Sequence, residues 1–389
     1  MTIMPSKNEK LFIDVTCCLA FFVYASTAII IPICLIEMSK DLNFHLTGGG
    51  SLKFIDAVLG LLVLIISGRL AAYFGKSKLL YLGSWIMTLG LLLFSFSYNF
   101  WTAMGCCVII GGGSGLLEAL LNPLVQDVHP KTSSKALNLT NAFYPLGTLL
   151  ASLFIGEFLT LGYSWRIIFR LTAVGTAAVG AMFFISQKIK LPKSYATMHH
   201  VANILKRPRF WCFGVAMFFV GMSESAFVYW SATFIRLKFL DEPRLGAIST
   251  ALFAGSMVLA RIIISNFVLK VSLRNLILVS ATSSFFVSLL FPFSTSISMF
   301  YFIVILAGIS MACFWPTIQS FAVNELPVDP TLLFIFLSCC GIPGYGFSGI
   351  VMGVVGDIYG LTTAFLIIPS FFIFIIIAIL IEQKCAIRR

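Results

Sequence analysis

TAMGCCVIIGGGSGLLEALLNPLVQD, residues 102–127, carries one charge, Glu118, before the Asp127 that ends it. A helix rises 1.5 Å per residue, and the roughly 30 Å of bilayer hydrocarbon takes about 20 residues to cross. The run is long enough to cross and too poor in charge to lie against water, so it reads as a membrane-spanning helix. The pattern recurs. Twelve apolar runs follow one another at 11–36, 50–72, 79–98, 102–127, 136–159, 166–186, 210–235, 246–269, 275–295, 299–322, 331–356 and 361–382. Every connection is short except 187–209, which separates two groups of six. The expected fold is therefore all-α and integral to the membrane, with an N-terminal six-helix bundle (1–186), a central loop (187–209) and a C-terminal six-helix bundle (210–389).

Composition agrees with this reading. Of 389 residues, 59% are hydrophobic and 11% charged, with a mean hydropathy of +1.01, whereas a soluble domain carries about 25% charged residues. The net charge of +11 is spread over connections rather than gathered in a patch. With the N-terminus in the cytoplasm, seventeen of the 26 Lys and Arg fall on the cytoplasmic side and six on the other. This bias places both termini and the central loop in the cytoplasm, and it accounts for the basic balance without nucleic acid. The location expected is a bacterial inner membrane, with the chain a monomer in the lipid bilayer. The first run, from Leu11, lacks a small-residue cleavage site and reads as a retained span. Nine of the ten cysteines lie within apolar runs without CxxC spacing, and the four histidines are scattered. These cysteines read as small packing residues, and neither a metal nor a cofactor is expected.

Faint repeats relate the two halves. FVYASTA (22–28) resembles FVGMSESA (219–226), setting Ser26 against Ser223 at an offset of 197. Gly115 and Gly308 each stand eight residues before a proline, Pro123 and Pro316. Gly156-Glu157 and Gly356-Asp357 each precede an aromatic residue, Trp165 and Phe365, by the same spacing. Two homologous halves of this kind place a substrate site near mid-membrane where they meet.

A charge at the bilayer centre costs about 2.5–3.5 kcal/mol on insertion scales, so each buried charge needs a partner, a proton or water. Glu118 and Glu224 are the deepest. Lys53 and Asp56, three apart on one helix, can pair with each other. Arg261 is placed to close as a gate against Asp357 or a backbone carbonyl. Asp14, Glu157 and Arg170 lie near span ends. Glu118 has no cation near it in sequence, and an unpaired carboxyl in hydrocarbon costs less with a proton on it, so it is the candidate proton carrier. Around it, GGGSG permits close helix approach and Asn122 supplies an amide. The next span offers Asn138, Asn141 and Tyr144, the last two on one face. In the second half Glu224 is joined by Trp230, Trp315 and Gln319. Acids and amides beside aromatic plates suit a sugar, whose hydroxyls take paired hydrogen bonds and whose ring stacks. Tyr24 completes the candidate set.

The stretches GLLEALLNPLV (115–125), LNLTNAFYPLG (137–147), FFVGMSESAFVYW (218–230), CFWPTIQSFAV (313–323) and GIVMGVVGDIYGLTTAFLIIP (349–369) resemble the major facilitator superfamily, and within it the fucose permease-like branch. The resemblance implies an alternating-access carrier that performs no covalent chemistry and moves a small polar solute, a monosaccharide or related metabolite, with a co-transported proton or sodium. It places Glu118 at the fourth-helix acid and Asn141 and Tyr144 at the fifth-helix polar pair. Two positions depart from it: Ala28 stands where a first-helix acid is expected four residues before Pro32, and Ala72 stands where the signature after the second helix has an aspartate. An exporter of amphiphilic compounds and a non-transporting nutrient sensor are the alternative readings.

Overall fold

The computed structural model describes residues 6–129, 133–189, 204–239, 242–265, 271–326 and 330–387. The central part of the 187–209 connection and the cations Lys131, Lys270, Arg388 and Arg389 fall outside them, as does the side chain of Asn138. The helices in chain order are α1 (Lys7–Leu42), α2 (Leu46–Phe74), α3 (Lys76–Ser95), α4 (Phe100–Val128), α5 (Ser133–Asn141, continued by Phe143–Thr160), α6 (Trp165–Ser186), α7 (Pro208–Phe239), α8 (Pro243–Ser265), α9 (Leu273–Leu289), α10 (Ile297–Met311, continued by Phe314–Glu325), α11 (Pro330–Tyr359) and α12 (Leu361–Phe365, continued by Ile368–Ile387). Among the described residues twelve helical spans are long and apolar enough to cross a membrane, one for each apolar run.

Several helices outrun their apolar stretches because capping side chains extend them into polar sequence. Ser6 and Glu9 form a reciprocal capping box that starts α1, and Asn99, Ser164 and Ser272 cap α4, α6 and α9. Each such side chain satisfies an otherwise orphaned N–H of the first turn. Gly162 and Gly360 end α5 and α11 with φ of 84° and 83°, a left-handed turn that a side chain would strain.

The chain packs as two compact units, Met1–Phe44 with Ile55–Tyr195, and His45–Phe54 with Ala196–Arg389. The opening turns of α2 thus belong to the second unit. In the first unit α1 packs on α5 and α6, and α3 on α4 and α6. In the second unit the same pattern recurs as α7 on α11 and α12, and α9 on α10 and α12. Glycine makes the matching approaches. A Cβ at Gly147 of α5 would strike the Phe22 carbonyl of α1, and one at Gly344 of α11 would strike the Phe218 carbonyl of α7. These two glycines stand 197 apart, the offset of the sequence repeat.

Candidate functional site

The glycine run before Glu118 fixes where its helix lies. A Cβ at Gly111 would stand 2.7 Å from the Asp56 carbonyl oxygen, and one at Gly115 2.6 Å from that of Gly60, both on α2. A Cβ at Gly113 would stand 2.6 Å from the Gly83 carbonyl on α3. α4 therefore meets both neighbours backbone to backbone, as small residues allow between membrane helices.

Less than one turn later α4 presents Glu118. Tyr24 of α1 stands within hydrogen-bonding reach of the carboxyl. The Tyr24 ring meets Tyr144 of α5 nearly edge-on, with centroids 5.5 Å apart, and Asp56 of α2 is close enough to act on Tyr24 electrostatically. Through Tyr24, side chains of α1, α2, α4 and α5 are linked. Among the described residues no ammonium or guanidinium group acts on Glu118.

Asn141 and Tyr144 stand on either side of the join in α5, where Ala142 keeps a helical backbone with φ -66° and ψ -21°. Asn141 turns to α4, donating from Nδ2 to Asn122 Oδ1 at 2.7 Å and to the Leu137 carbonyl at 2.8 Å, while Tyr144 turns to α1. Tyr144 reaches the Glu118 cluster through Tyr24, and Asn141 through Asn122, one turn beyond Glu118 on α4.

In the second unit Glu224 of α7 is treated differently. Arg261 of α8 acts on it through charge, and Tyr345 of α11 stands within hydrogen-bonding reach. Tyr345 is fixed from two sides. Its carbonyl accepts a hydrogen bond from Ser225 Oγ at 3.0 Å, and its ring meets Trp315 of α10 at 6.3 Å. Trp315 in turn lies over Gly341, where a Cβ would come within 2.5 Å of the indole. Gln319, one turn further along α10, reaches Ser338 Oγ at 3.5 Å.

The expected contact between Arg261 and Asp357 is not made. Arg261 sits near the end of α8 and Asp357 near the end of α11, and with one helix of each direction between them these ends face opposite sides of the unit. Of the two partners foreseen, Arg261 takes the carbonyl, donating from Nε to Ala312 at 2.9 Å where α10 is interrupted. Asp357 instead accepts from two backbone N–H groups that open α2, Leu46 at 2.9 Å and Thr47 at 2.8 Å. Trp230 is also displaced from its expected role. Its ring is 0% exposed and packs against Tyr229 at 5.2 Å, so it belongs to the interior of the unit rather than to a binding surface. Lys53 and Asp56 lie on α2 as foreseen, Lys53 with its Cβ beside Gly349 of α11 and Asp56 beside the Glu118 cluster.

Tyr345 is absent from the sequence reading: at the offset of 197 that relates Gly147 to Gly344 it stands against Thr148, so the repeat carried no signal for it. A second group was also missed. Glu382 of α12, 0% exposed, accepts from Arg209 of α7 through Nε at 2.8 Å and through NH2, and from Arg274 of α9 at 3.0 Å. Arg209 also holds Glu325 of α10 at 2.5 Å, so one ionic network joins four helices. In the first unit His129 Nε2 bonds both carboxylate oxygens of Asp14, at 2.8 and 2.9 Å, and Lys76 pairs with Asp127 at 2.6 Å.

Known proteins share this architecture. The chain is 21% identical over 396 residues to the protein TsgA homolog of Buchnera aphidicola subsp. Baizongia pistaciae (strain Bp), covering 97% of this chain and 98% of that one. Its fold matches a bacterial homolog of the human lysosomal transporter Spinster in an inward-facing, unoccupied conformation, with a TM-score of 0.80 at 13% identity over 98% of each chain. It also matches the nucleoside transporter NupG, with a TM-score of 0.76 at 15% identity over 97% of this chain and 99% of that one, and a D-xylose-proton symporter, at 0.74 and 12% identity over 96% and 97%. The family profile of the Major Facilitator Superfamily covers residues 16–331. Twelve spans in two like-packed sets of six accord with that profile, and the chain belongs to the Major Facilitator Superfamily of membrane transporters.

Proposed function

We propose that the protein is a secondary active transporter that moves a small polar, ring-bearing metabolite by alternating access, driven by a proton carried on Glu118. The observation that carries the reading is the setting of Glu118 on α4, with the Tyr24 phenol of α1 in reach and, among the described residues, no cation acting on it. Such a carboxyl is cheapest to bury with a proton bound, and it gives that proton up when its surroundings become wet. Glu224 has Arg261 beside it and is the less suited of the two to carry a proton. Its place in this reading is as a hydrogen-bonding anchor for substrate hydroxyls in the second unit, with Trp315 as a stacking plate and Gln319 as an amide; in the first unit Asn122, Asn141, Tyr144 and Tyr24 are the candidate polar groups for the solute.

The solute classes named for the similar folds, a nucleoside and D-xylose, share a ring bearing hydroxyls, and they define the probes. A thermal-shift screen of the purified protein against D-xylose, uridine and related compounds identifies a binder, since a ligand selective for the native state raises its apparent stability. In proteoliposomes with an imposed pH gradient, the wild type should accumulate that binder and Glu118→Gln should not, although it should still exchange the solute across the membrane without a gradient. Unchanged gradient-driven accumulation by Glu118→Gln would falsify the proposal, and accumulation that follows a sodium gradient at constant pH would reassign the coupling ion. Competition by hydrophobic cations in place of sugars and nucleosides would favour an exporter of amphiphilic compounds.

The proposal extends to uptake rather than efflux, a monomeric state and an inner-membrane location, and to cytoplasmic termini, which the bias of Lys and Arg supports.

A further inference from the structure

α2 opens with LTGGG, residues 46–50, three glycines in the first two turns of a membrane helix. Glycine favours the coil over the helix more than any residue but proline, and the first turn of α2 contains no acidic side chain of its own. Left to its own sequence, this end of the helix is a weak one.

It is held from outside. Asp357, at the end of α11, places Oδ1 on the N–H of Leu46 at 2.9 Å and Oδ2 on that of Thr47 at 2.8 Å, satisfying two of the four donors that a helix start leaves orphaned. The Tyr229 hydroxyl of α7 donates to the Gly49 carbonyl at 2.5 Å. Gly50 and Gly349 meet backbone to backbone, and a Cβ at Gly353 would stand 2.8 Å from the Leu46 carbonyl. Phe54 and Phe347 close the far end, with ring centroids 5.4 Å apart. These contacts explain why His45–Phe54 packs with the second unit while the rest of α2 packs with the first.

We propose that His45–Phe54 is a conditional helix hinged on Gly48–Gly50, folded when Asp357 and Tyr229 clamp it and unwound when they let go, so that α2 changes length at this end as the carrier cycles. A borrowed cap does what a cap within α2 would not: it makes the first turns of the helix depend on where α11 is. The proposal stands on family membership and on this geometry, and it is independent of which solute moves or whether Glu118 carries the proton.

Hydrogen-exchange mass spectrometry on the full-length protein in lipid nanodiscs tests it. Asp357→Asn keeps the shape of the cap and removes its charge, and amides of residues 45–54 should then exchange about tenfold faster, with peptides from α7 and α12 unchanged. Tyr229→Phe should produce a smaller change in the same residues. Adding Gly48→Ala to Asp357→Asn should recover at least threefold of the lost protection, because alanine favours the helix without restoring any contact to α11. Unchanged exchange at 45–54 in Asp357→Asn overturns the clamp. Faster exchange spread throughout the second unit, or no recovery on adding alanine, overturns the hinge and leaves Asp357 an ordinary packing contact.

Discussion

Replacing Glu382 with alanine should cost the second unit more stability than any single change among its other charges. Its carboxylate is fully buried and takes hydrogen bonds from two guanidinium groups, Arg209 and Arg274, and Arg209 is itself only 8% exposed. Removing the acid leaves Arg209 with Glu325, whose side chain is 35% exposed, and Arg274 over the ring of Phe321. Breaking a buried pair by deleting one partner costs about 3–5 kcal/mol, because the survivor stays buried without its counter-charge. On the scale of roughly 2–4 °C per kcal/mol for domains near 200 residues, that is a fall of about 10 °C in Tm. Glu325→Gln touches the same network from its half-exposed side and should cost about 1 kcal/mol or less, close to 2 °C. Thermal melts in detergent followed by a thiol-reactive dye give the assay, since Cys313 of the same unit is buried and unpaired and becomes reactive only on unfolding. A Glu382→Ala protein melting within 2 °C of the wild type would refute the premise that this buried carboxylate balances two guanidinium groups.

Two further changes test the packing and the site. Gly147→Ala should lower Tm by several degrees, because its Cβ would strike the Phe22 carbonyl and overpacking of this kind costs about 1–3 kcal/mol; Gly175→Ala, whose Cβ would lie 3.5 Å from Val23, is the matched control and should be neutral or slightly stabilising, and equal effects of the two would count against the close approach of α1 and α5. Trp315→Ala should weaken binding of the solute found by thermal shift about tenfold, the value of a lost stacking face of ~1.4 kcal/mol, whereas Trp230→Phe should leave affinity within twofold; isothermal titration distinguishes them, and the reverse order would return Trp230 to the binding surface.

Hydropathy alone made the architecture legible, because a lipid solvent leaves one solution to the backbone and that solution has a fixed length. Glu118 was legible for the same reason: the one acid before the terminal Asp127 of a 26-residue apolar run stands out before any neighbour is known. Partners were not legible. Arg261 and Asp357 lie near the ends of their helices, and which ends meet depends on direction and packing that residue type does not encode. Asn141 and Tyr144 were placed on one face by the 3.6-residue period, but that period does not say which neighbouring helix each side chain meets, α4 for Asn141 and α1 for Tyr144. Tyr345 and Trp230 illustrate the opposite errors that aromatic richness invites. With 39 phenylalanines, 11 tyrosines and 6 tryptophans in the chain, composition cannot separate a ring beside a buried acid from a ring inside a bundle, and only the packing of α7 on α11 does so.

The assignment of His45–Phe54 to the second unit has a bearing on how the polypeptide tolerates being cut. A nick within the 187–209 connection divides the chain into two fragments, and the amino-terminal one then carries ten residues whose seat is on the carboxy-terminal one. Expressed by itself, that fragment holds an unfilled interlocking tab, and its companion an empty slot. Co-expressed, the two should recognise each other and reassemble into a working carrier, while a shortened amino-terminal piece deleted for the tab should fail to capture its mate.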